Sequence, residues 1–281
     1  MTKIRVLLSA LFLTFALAPD LNAQVSGRPD TVVVHSGALT LHALLWRPLG
    51  HGSFPAVLFN HGSYGSGDTI TPAEPAALGP VFARHGYVLL FLFRRGIGLS
   101  ADQGSADGDL MARASTADGQ EGRNRVQLQL LETEELNEAV AGLAFLRELP
   151  EVDPRRVAVA GHSFGGSLTL FLAARDTTLR AVVSFSGSAY SWALSPELRA
   201  RLLAAVDRTT APVLFIHAAN DYSIAPGEGL AAEMQRVGRP HRLEIYPAVG
   251  RTAKEGHNFV FRAVATWEPD VFAFLDRHLR Q

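Results

Sequence analysis

Short apolar runs alternate with longer amphipathic segments along this chain from Thr31 onward. Several runs are apolar throughout, and the one from Val88 to Phe93 reads Val-Leu-Leu-Phe-Leu-Phe. A strand that is buried on both faces has this pattern, and such strands occur in parallel sheets that helices cover on both sides. The pattern therefore predicts an α/β fold around a mostly parallel sheet.

Eight strands and six helices follow from the spacing of these runs. The predicted strands are 31–35, 39–46, 55–60, 87–93, 156–160, 181–185, 212–217 and 242–246. The predicted helices are 76–85, 126–149, 166–175, 196–206, 228–237 and 267–279. The first two strands are too close together for a helical crossover, so we expect an antiparallel hairpin at one edge of the sheet.

The segment 94–125 is rich in Gly, Asp, Ser and Ala and shows no apolar period. It is too long for an ordinary connection between two elements. We therefore expect an irregular insertion, either a loop over the functional site that acts as a possible lid or a mobile segment. No linker divides the rest of the chain, which predicts a single domain over residues 24–281.

The first residues have the pattern of a secretory signal peptide. Lys3 and Arg5 precede an apolar run from Val6 to Ala18, which is followed by a break and by the small residue Ala23. The run is shorter than the roughly 20 apolar residues that a transmembrane helix needs. We expect cleavage after Ala23, a secreted or periplasmic protein, and no stable membrane anchor.

The composition excludes several classes of function. Lys and Arg total 26 against 27 Asp and Glu, so the net charge of -1 provides no cationic surplus for nucleic acid. An apolar fraction of 47% is too high for a disordered chain. Because the chain has no cysteine, a thiolate nucleophile, a disulfide and a Cys-bound metal are excluded. We expect no cofactor and no metal, while the oligomeric state stays open.

The strongest chemical signal is the segment Gly161-His-Ser163-Phe-Gly165, which stands between an apolar strand and an apolar helix. In this context Gly-x-Ser-x-Gly predicts a nucleophile elbow, a turn so sharp that side chains larger than glycine would collide across it. The turn presents the serine hydroxyl at the N-terminus of the next helix, whose partial positive charge favours a developing anion. We therefore predict Ser163 as a nucleophile.

A serine nucleophile needs a base that takes its proton and an acid that holds this base in one tautomer. In this architecture the acid and then the histidine follow the serine, each on a loop after a later strand. Asp221 follows the strand predicted at 212–217, and His257 follows the last predicted strand. These positions predict Asp221 as the acid and His257 as the base.

The tetrahedral intermediate of such a reaction needs two N–H donors for its oxyanion. One should be the backbone N–H of Phe164, directly after the nucleophile. The second should come from the loop after the strand at 55–60, and we assign it to the Ser63 N–H, with that of Tyr64 as the alternative.

Aromatic and cationic residues near these positions are candidates for the substrate pocket. Tyr64, Trp192 and Tyr222 could line it, although each also fits ordinary packing. Arg94 and Arg95 either bind an acidic group of the substrate or form structural ion pairs at the end of a strand.

Taken together, these motifs resemble the α/β-hydrolase superfamily and, within it, the dienelactone-hydrolase-like proteins. The motifs are His61-Gly62, the elbow at 161–166, Asp221, Gly256-His257, the Arg-Arg-Gly-x-Gly-x-Ser stretch at 94–100, Val-Asp-Pro-Arg-Arg-Val at 152–157, and Trp267. The resemblance implies an eight-stranded sheet and hydrolysis of an ester or related acyl bond through an acyl-enzyme, with a small-molecule acyl substrate. Dienelactone hydrolases proper resemble this elbow but carry a cysteine nucleophile, so Ser163 favours a general serine carboxylesterase.

Two other functions are compatible with the same motifs. A serine peptidase of the prolyl-oligopeptidase kind resembles this domain in its catalytic core, although such proteins usually carry a large N-terminal propeller. A catalytically inactive hydrolase fold could instead serve as a binding protein.

Overall fold

An eight-stranded sheet forms the centre of the computed structural model, which describes residues 28–65, 70 and 72–280. Its strands are β1 (Asp30–Ser36), β2 (Leu39–Trp46), β3 (Phe54–Asn60), β4 (Val88–Leu92), β5 (Val152–His162), β6 (Ala181–Phe185), β7 (Val213–Ala218) and β8 (His241–Tyr246). Their order in the sheet is β1-β2-β4-β3-β5-β6-β7-β8. The β1–β2 and β2–β4 pairs are antiparallel and every other pair is parallel. The predicted fold class and the hairpin at the sheet edge are confirmed.

Helices cover both faces of this sheet. They are α1 (Ala73–Arg84), α2 (Asp107–Glu132), α3 (Glu134–Glu148), α4 (Phe164–Arg175), α5 (Pro196–Arg208), α6 (Ala225–Arg236), α7 (Ala253–His257), α8 (Phe259–Arg262) and α9 (Val264–Leu279). One apolar core lies between the sheet and α2 to α6, and a second lies on the other face against α1, α8 and α9. Leu90 belongs to the first core and its neighbour Leu89 to the second, because successive strand residues point to opposite faces. This explains why the run in β4 is apolar throughout.

The expectation of an irregular insertion at 94–125 is wrong. After a 3-10 turn at Gly98–Ser100, most of this segment forms the first part of α2. The helix bends at Asp118 and Gly119, where the backbone leaves helical geometry and Gly119 has a φ of 64°. Few residues before this bend are buried, so the segment lacks the apolar period that would reveal a helix.

The helix predicted at 126–149 is two helices. α2 and α3 meet at Thr133, whose φ of -126° and ψ of -92° interrupt the helical backbone. Buried leucines on both sides of this junction belong to the same core, which is why the apolar pattern continues across it.

The loops that carry the predicted site residues share one edge of the sheet. β3, β5, β6, β7 and β8 run parallel, so their carboxyl ends lie side by side, and this edge is where open α/β sheets bind ligands. The predicted signal peptide lies outside the described residues. Within the described ranges, no helix combines the length and the apolar character needed to cross a membrane.

Candidate active site

The turn from β5 into α4 has the geometry of a nucleophile elbow. Ser163 has a φ of 57° and a ψ of -116°, a strained conformation for a residue other than glycine. A Cβ atom on Gly165 would lie 2.1 Å from the carbonyl oxygen of Asn60, and one on Gly161 would lie 2.2 Å from that of Gly165. Gly165 is therefore required where the elbow packs against β3, and Gly161 is required where the elbow packs against itself.

The structure brings the three predicted side chains of the proton-transfer chain together. The Nε2 atom of His257 lies 2.8 Å from Ser163 Oγ, and its Nδ1 atom lies 2.7 Å from Asp221 Oδ1. His257 is the last residue of α7, whose N-terminus is held by a capping box between Thr252 and Glu255. This arrangement can move a proton from the serine hydroxyl to a ring that the carboxylate orients.

A second histidine contacts the same carboxylate. His217, at the end of β7, lies with its Nδ1 atom 3.0 Å from Asp221 Oδ2, while the backbone N–H of Tyr222 donates to Oδ1 at 2.7 Å. Burial alone would raise the pKa of Asp221, but the hydrogen bonds from His217 and His257 hold it well below its usual range. This role of His217 was not predicted from the sequence, although its position four residues before Asp221 was a usable signal.

His162, the residue before the nucleophile, supports the C-terminal end of α7, where His257 lies. Its Nε2 atom lies 2.9 Å from the backbone oxygen of His257. Burial, together with the nearby His257, lowers the pKa of His162 to about 3. His162 is therefore neutral near pH 7 and donates its Nε2 hydrogen to this oxygen.

The two amides predicted as oxyanion donors remain available. In the described part of the chain, the N–H groups of Ser63 and Phe164 have no protein acceptor, and both residues border a cavity together with Ser163. The Tyr64 N–H instead donates to Asp107 Oδ1 at 2.9 Å, which argues against Tyr64 as the alternative donor. Gly62 brings this loop close to the nucleophile, since a Cβ atom there would lie 3.6 Å from Ser163 Cβ.

A buried arginine holds the loop that carries Ser63. The guanidinium of Arg94 donates to the carbonyl oxygens of His61 at 2.8 Å and of Gly62 at 2.9 Å. It also lies 2.5 Å from Glu135 and 3.2 Å from Asp107, whose other oxygen accepts the Tyr64 N–H.

These contacts decide between the two interpretations of the arginine pair. Arg94 is only 1% exposed and four of its five side-chain N–H donors bond within the protein, while Arg95 pairs with the buried Glu138. Both arginines form structural ion pairs, and Arg94 has no exposed surface with which to bind a substrate.

Two cavities meet at Ser163 and His257. The larger has a volume of about 590 Å³ and is bordered by residues that include Tyr64, Glu74 and Phe261. The smaller has a volume of about 200 Å³ and lies between α2 and the loop after β6. Tyr222 borders both cavities.

Two of the three predicted pocket residues, Tyr64 and Tyr222, thus face a cavity. The prediction for Trp192 is wrong. Its side chain is buried in the core, and its ring packs so closely on α6 that a Cβ atom on Gly229 would lie 2.8 Å from it. An aromatic residue after a strand fits either environment, and only tertiary packing decides between them.

The fold and the site together define an α/β hydrolase with a serine at the nucleophile position. The model of the dienelactone hydrolase family matches residues 41–266, and the chain belongs to that family. The resemblance noted from the sequence motifs is therefore confirmed.

The individual proteins that this chain resembles share less than a third of their residues with it over the matched regions. The quorum-quenching protein AidA of Acinetobacter baumannii is 29% identical over 185 residues, which cover 64% of this chain and 52% of that protein. A dienelactone hydrolase from Anabaena variabilis superposes with a TM-score of 0.61 at 21% identity, covering 90% of this chain and 99% of the other. An acylaminoacyl peptidase from Pyrococcus horikoshii gives a TM-score of 0.64 at 16% identity, covering 90% of this chain but 42% of the peptidase. The chain thus spans about half the length of AidA and less than half of the peptidase.

Proposed function

We propose that this protein is a serine hydrolase that cleaves carboxylic esters through an acyl-enzyme intermediate. The observation that carries the proposal is the continuous chain from Ser163 Oγ through the His257 ring to the Asp221 carboxylate, with both contacts below 3 Å. Membership in the dienelactone hydrolase family supports the same class of reaction.

The proposed reaction has two halves. Ser163 Oγ attacks the ester carbonyl carbon while His257 Nε2 takes the hydroxyl proton, and the N–H groups of Ser63 and Phe164 stabilise the oxyanion. His257 then returns the proton to the leaving alcohol as the carbon–oxygen bond breaks. In the second half, water attacks the acyl-enzyme, gives its proton to His257 and releases the carboxylic acid, and the proton returns to Ser163 Oγ.

Covalent labelling tests the nucleophile directly. A fluorophosphonate probe should modify the wild-type protein at Ser163, as located by mass spectrometry of the peptides, and should not modify Ser163→Ala. The matched control is Ser105→Ala, a change at an exposed serine outside both cavities, which should be labelled like the wild type. Absence of labelling in the wild type would favour the inactive binding protein.

The peptidase alternative draws support from the superposition on the acylaminoacyl peptidase. The chain matches 99% of the length of the Anabaena dienelactone hydrolase but only 42% of the peptidase, and this difference favours the ester hypothesis over the peptidase alternative. Rates on p-nitrophenyl acetate and on a panel of peptide anilides separate the two, and faster turnover of the anilides would overturn the ester assignment.

We also propose that the protein is exported, on the basis of the pattern in residues 1–23. N-terminal sequencing of the mature protein from its native host should give Gln24 as the first residue. A chain that retains Met1 in the cytoplasm would contradict export.

A further inference from the structure

The smaller cavity has a wall of fixed polar side chains. Gln127 and Ser191 form reciprocal hydrogen bonds of 3.0 and 3.1 Å, and the Oγ atoms of Ser188 and Ser167 lie 2.7 Å apart. Gln127, Ser188 and Ser191 are each at most 5% exposed. Met111 and Phe164 add apolar surface elsewhere around the cavity, and this polar wall offers partners that only an acyl chain with a polar group can use.

A half-buried arginine on α2 completes the wall. Arg123 donates to Gln127 Oε1 at 3.2 Å, and its guanidinium lies 5.4 Å from the centre of the Tyr190 ring. No carboxylate of the described residues lies within ion-pair distance of it, whereas Arg125, two residues further on, pairs with Asp118 at 2.5 Å. A guanidinium has five N–H donors, so Arg123 keeps donors for a group that enters the cavity.

The position of His257 indicates which part of an ester each cavity receives. His257 must protonate the leaving alcohol, and the segment that carries it, including Lys254, Asn258 and Phe261, borders the larger cavity. His257 itself and Ser63 border both cavities, whereas Phe164, the other proposed oxyanion donor, and the loop after β6 border the smaller one. This division places the alcohol in the larger cavity and the acyl chain in the smaller.

Resting on the function proposed above, we propose that the smaller cavity selects short acyl chains whose far end carries a hydrogen-bond acceptor, with Arg123 as the residue that binds this acceptor. The volume of about 200 Å³ accommodates a chain of roughly seven non-hydrogen atoms, at about 30 Å³ for each water-sized group. Gln127, fixed by Ser191, positions the guanidinium.

Three ethyl esters with the same leaving group test the proposal in a pH-stat. Ethyl valerate ends in a methyl group, ethyl levulinate carries a neutral carbonyl, and monoethyl succinate carries a carboxylate. We expect kcat/KM for at least one of the two acceptor esters to exceed that for the valerate by roughly ten- to a hundredfold, the range of a hydrogen bond to a charged group. A preference for the succinate alone identifies a carboxylate as the acceptor, and a preference for both esters shows that a neutral carbonyl suffices.

The variants Arg123→Leu and Arg125→Leu assign this preference to a residue. In R123L the ratio of kcat/KM between acceptor ester and valerate should collapse toward one, whereas R125L should keep the wild-type ratio. Equal rates on all three esters in the wild type, or an unchanged ratio in R123L, would overturn the proposal. If none of the three esters is hydrolysed in a Ser163-dependent way, the proposed function itself fails, which is a distinct result.

Discussion

Replacing Arg94 by lysine tests whether the buried ion cluster shapes the oxyanion site. The guanidinium makes two hydrogen bonds to the loop before Ser63 and also contacts Glu135 and Asp107. A single ammonium on a flexible stem cannot reproduce this fork of donors. In R94K the His61 and Gly62 carbonyls would lose partners in a buried setting, and the Ser63 N–H would no longer be held in place.

The expected fall in kcat of R94K follows from the contribution that one oxyanion donor makes to transition-state stabilisation. Loss of one such donor typically costs about 2.7 to 4 kcal/mol of transition-state stabilisation, or roughly 10² to 10³ in kcat. Since the Ser63 N–H is displaced in R94K and not deleted, we expect a fall in kcat of roughly 10- to 10³-fold with a much smaller change in KM. A boronic acid that mimics the tetrahedral intermediate should lose affinity by a similar factor, because it uses the same donors.

The assay measures kcat and KM on p-nitrophenyl acetate, the boronate Kd, and the near-UV circular dichroism of each variant. Arg95→Lys is the matched control, because the neighbouring Arg95 pairs with Glu138 and contacts neither carbonyl of the oxyanion loop. Where R94K fails to fold, Asp107→Asn tests the same loop more mildly, since it keeps an acceptor for the Tyr64 N–H. A folded R94K with a kcat within twofold of the wild type would show that the Arg94 cluster does not position the oxyanion donors.

Three further changes have expected outcomes. Asp221→Asn should lower kcat on p-nitrophenyl acetate by roughly 10⁴-fold, because the amide no longer fixes the tautomer of His257, and a loss below tenfold would contradict that role. Burial lowers the pKa of His162 to about 3, so between about pH 6.5 and pH 3 the unfolded chain binds more protons than the folded protein. In this window the free energy of unfolding should fall with acidification by up to about 1.4 kcal/mol per pH unit for this group. Urea titrations should show a shallower fall in His162→Phe than in the wild type. Gly165→Ala should lower the free energy of unfolding by about 1 to 3 kcal/mol or more, measured in urea, because its Cβ atom would overlap the Asn60 carbonyl at 2.1 Å; a wild-type midpoint would mean that the elbow can relax.

The sheet and the three residues of the proton-transfer chain could be predicted because local signals determine them. A run such as that in β4 is apolar on both faces, so its composition alone indicates a buried strand. Parallel strands then bring the loops that carry Ser163, Asp221 and His257 to one edge, whatever their separation along the chain.

The remaining features depend on tertiary contacts that no local pattern reveals. The first part of α2 buries few side chains and bends at Gly119, so its sequence resembles a loop. The contacts of Arg94 join residues up to 41 positions apart. For Trp192 the sequence is ambiguous, because an aromatic residue after a strand fits a pocket as well as a core. Only its packing on α6 decides between these two environments.

Backbone strain in this protein is concentrated where the chemistry is proposed. In the described part of the chain, positive φ values at residues other than glycine occur at Ser163, Ser186 and Ser188, all at the carboxyl ends of β5 and β6. Glycine would adopt these conformations without steric cost, whereas a serine there carries strain of about 1 to 3 kcal/mol. For Ser163 the hydroxyl is the proposed nucleophile, and for Ser188 it bonds to Ser167 in the wall of the smaller cavity. Ser188→Gly relieves this strain but leaves the buried Ser167 hydroxyl without this partner, and these two effects, each about 1 to 3 kcal/mol, oppose one another. We therefore expect the free energy of unfolding to change by less than about 2 kcal/mol in urea titrations, while the preference for acceptor-bearing acyl chains weakens. An unchanged preference in this variant would separate the strain from substrate selection.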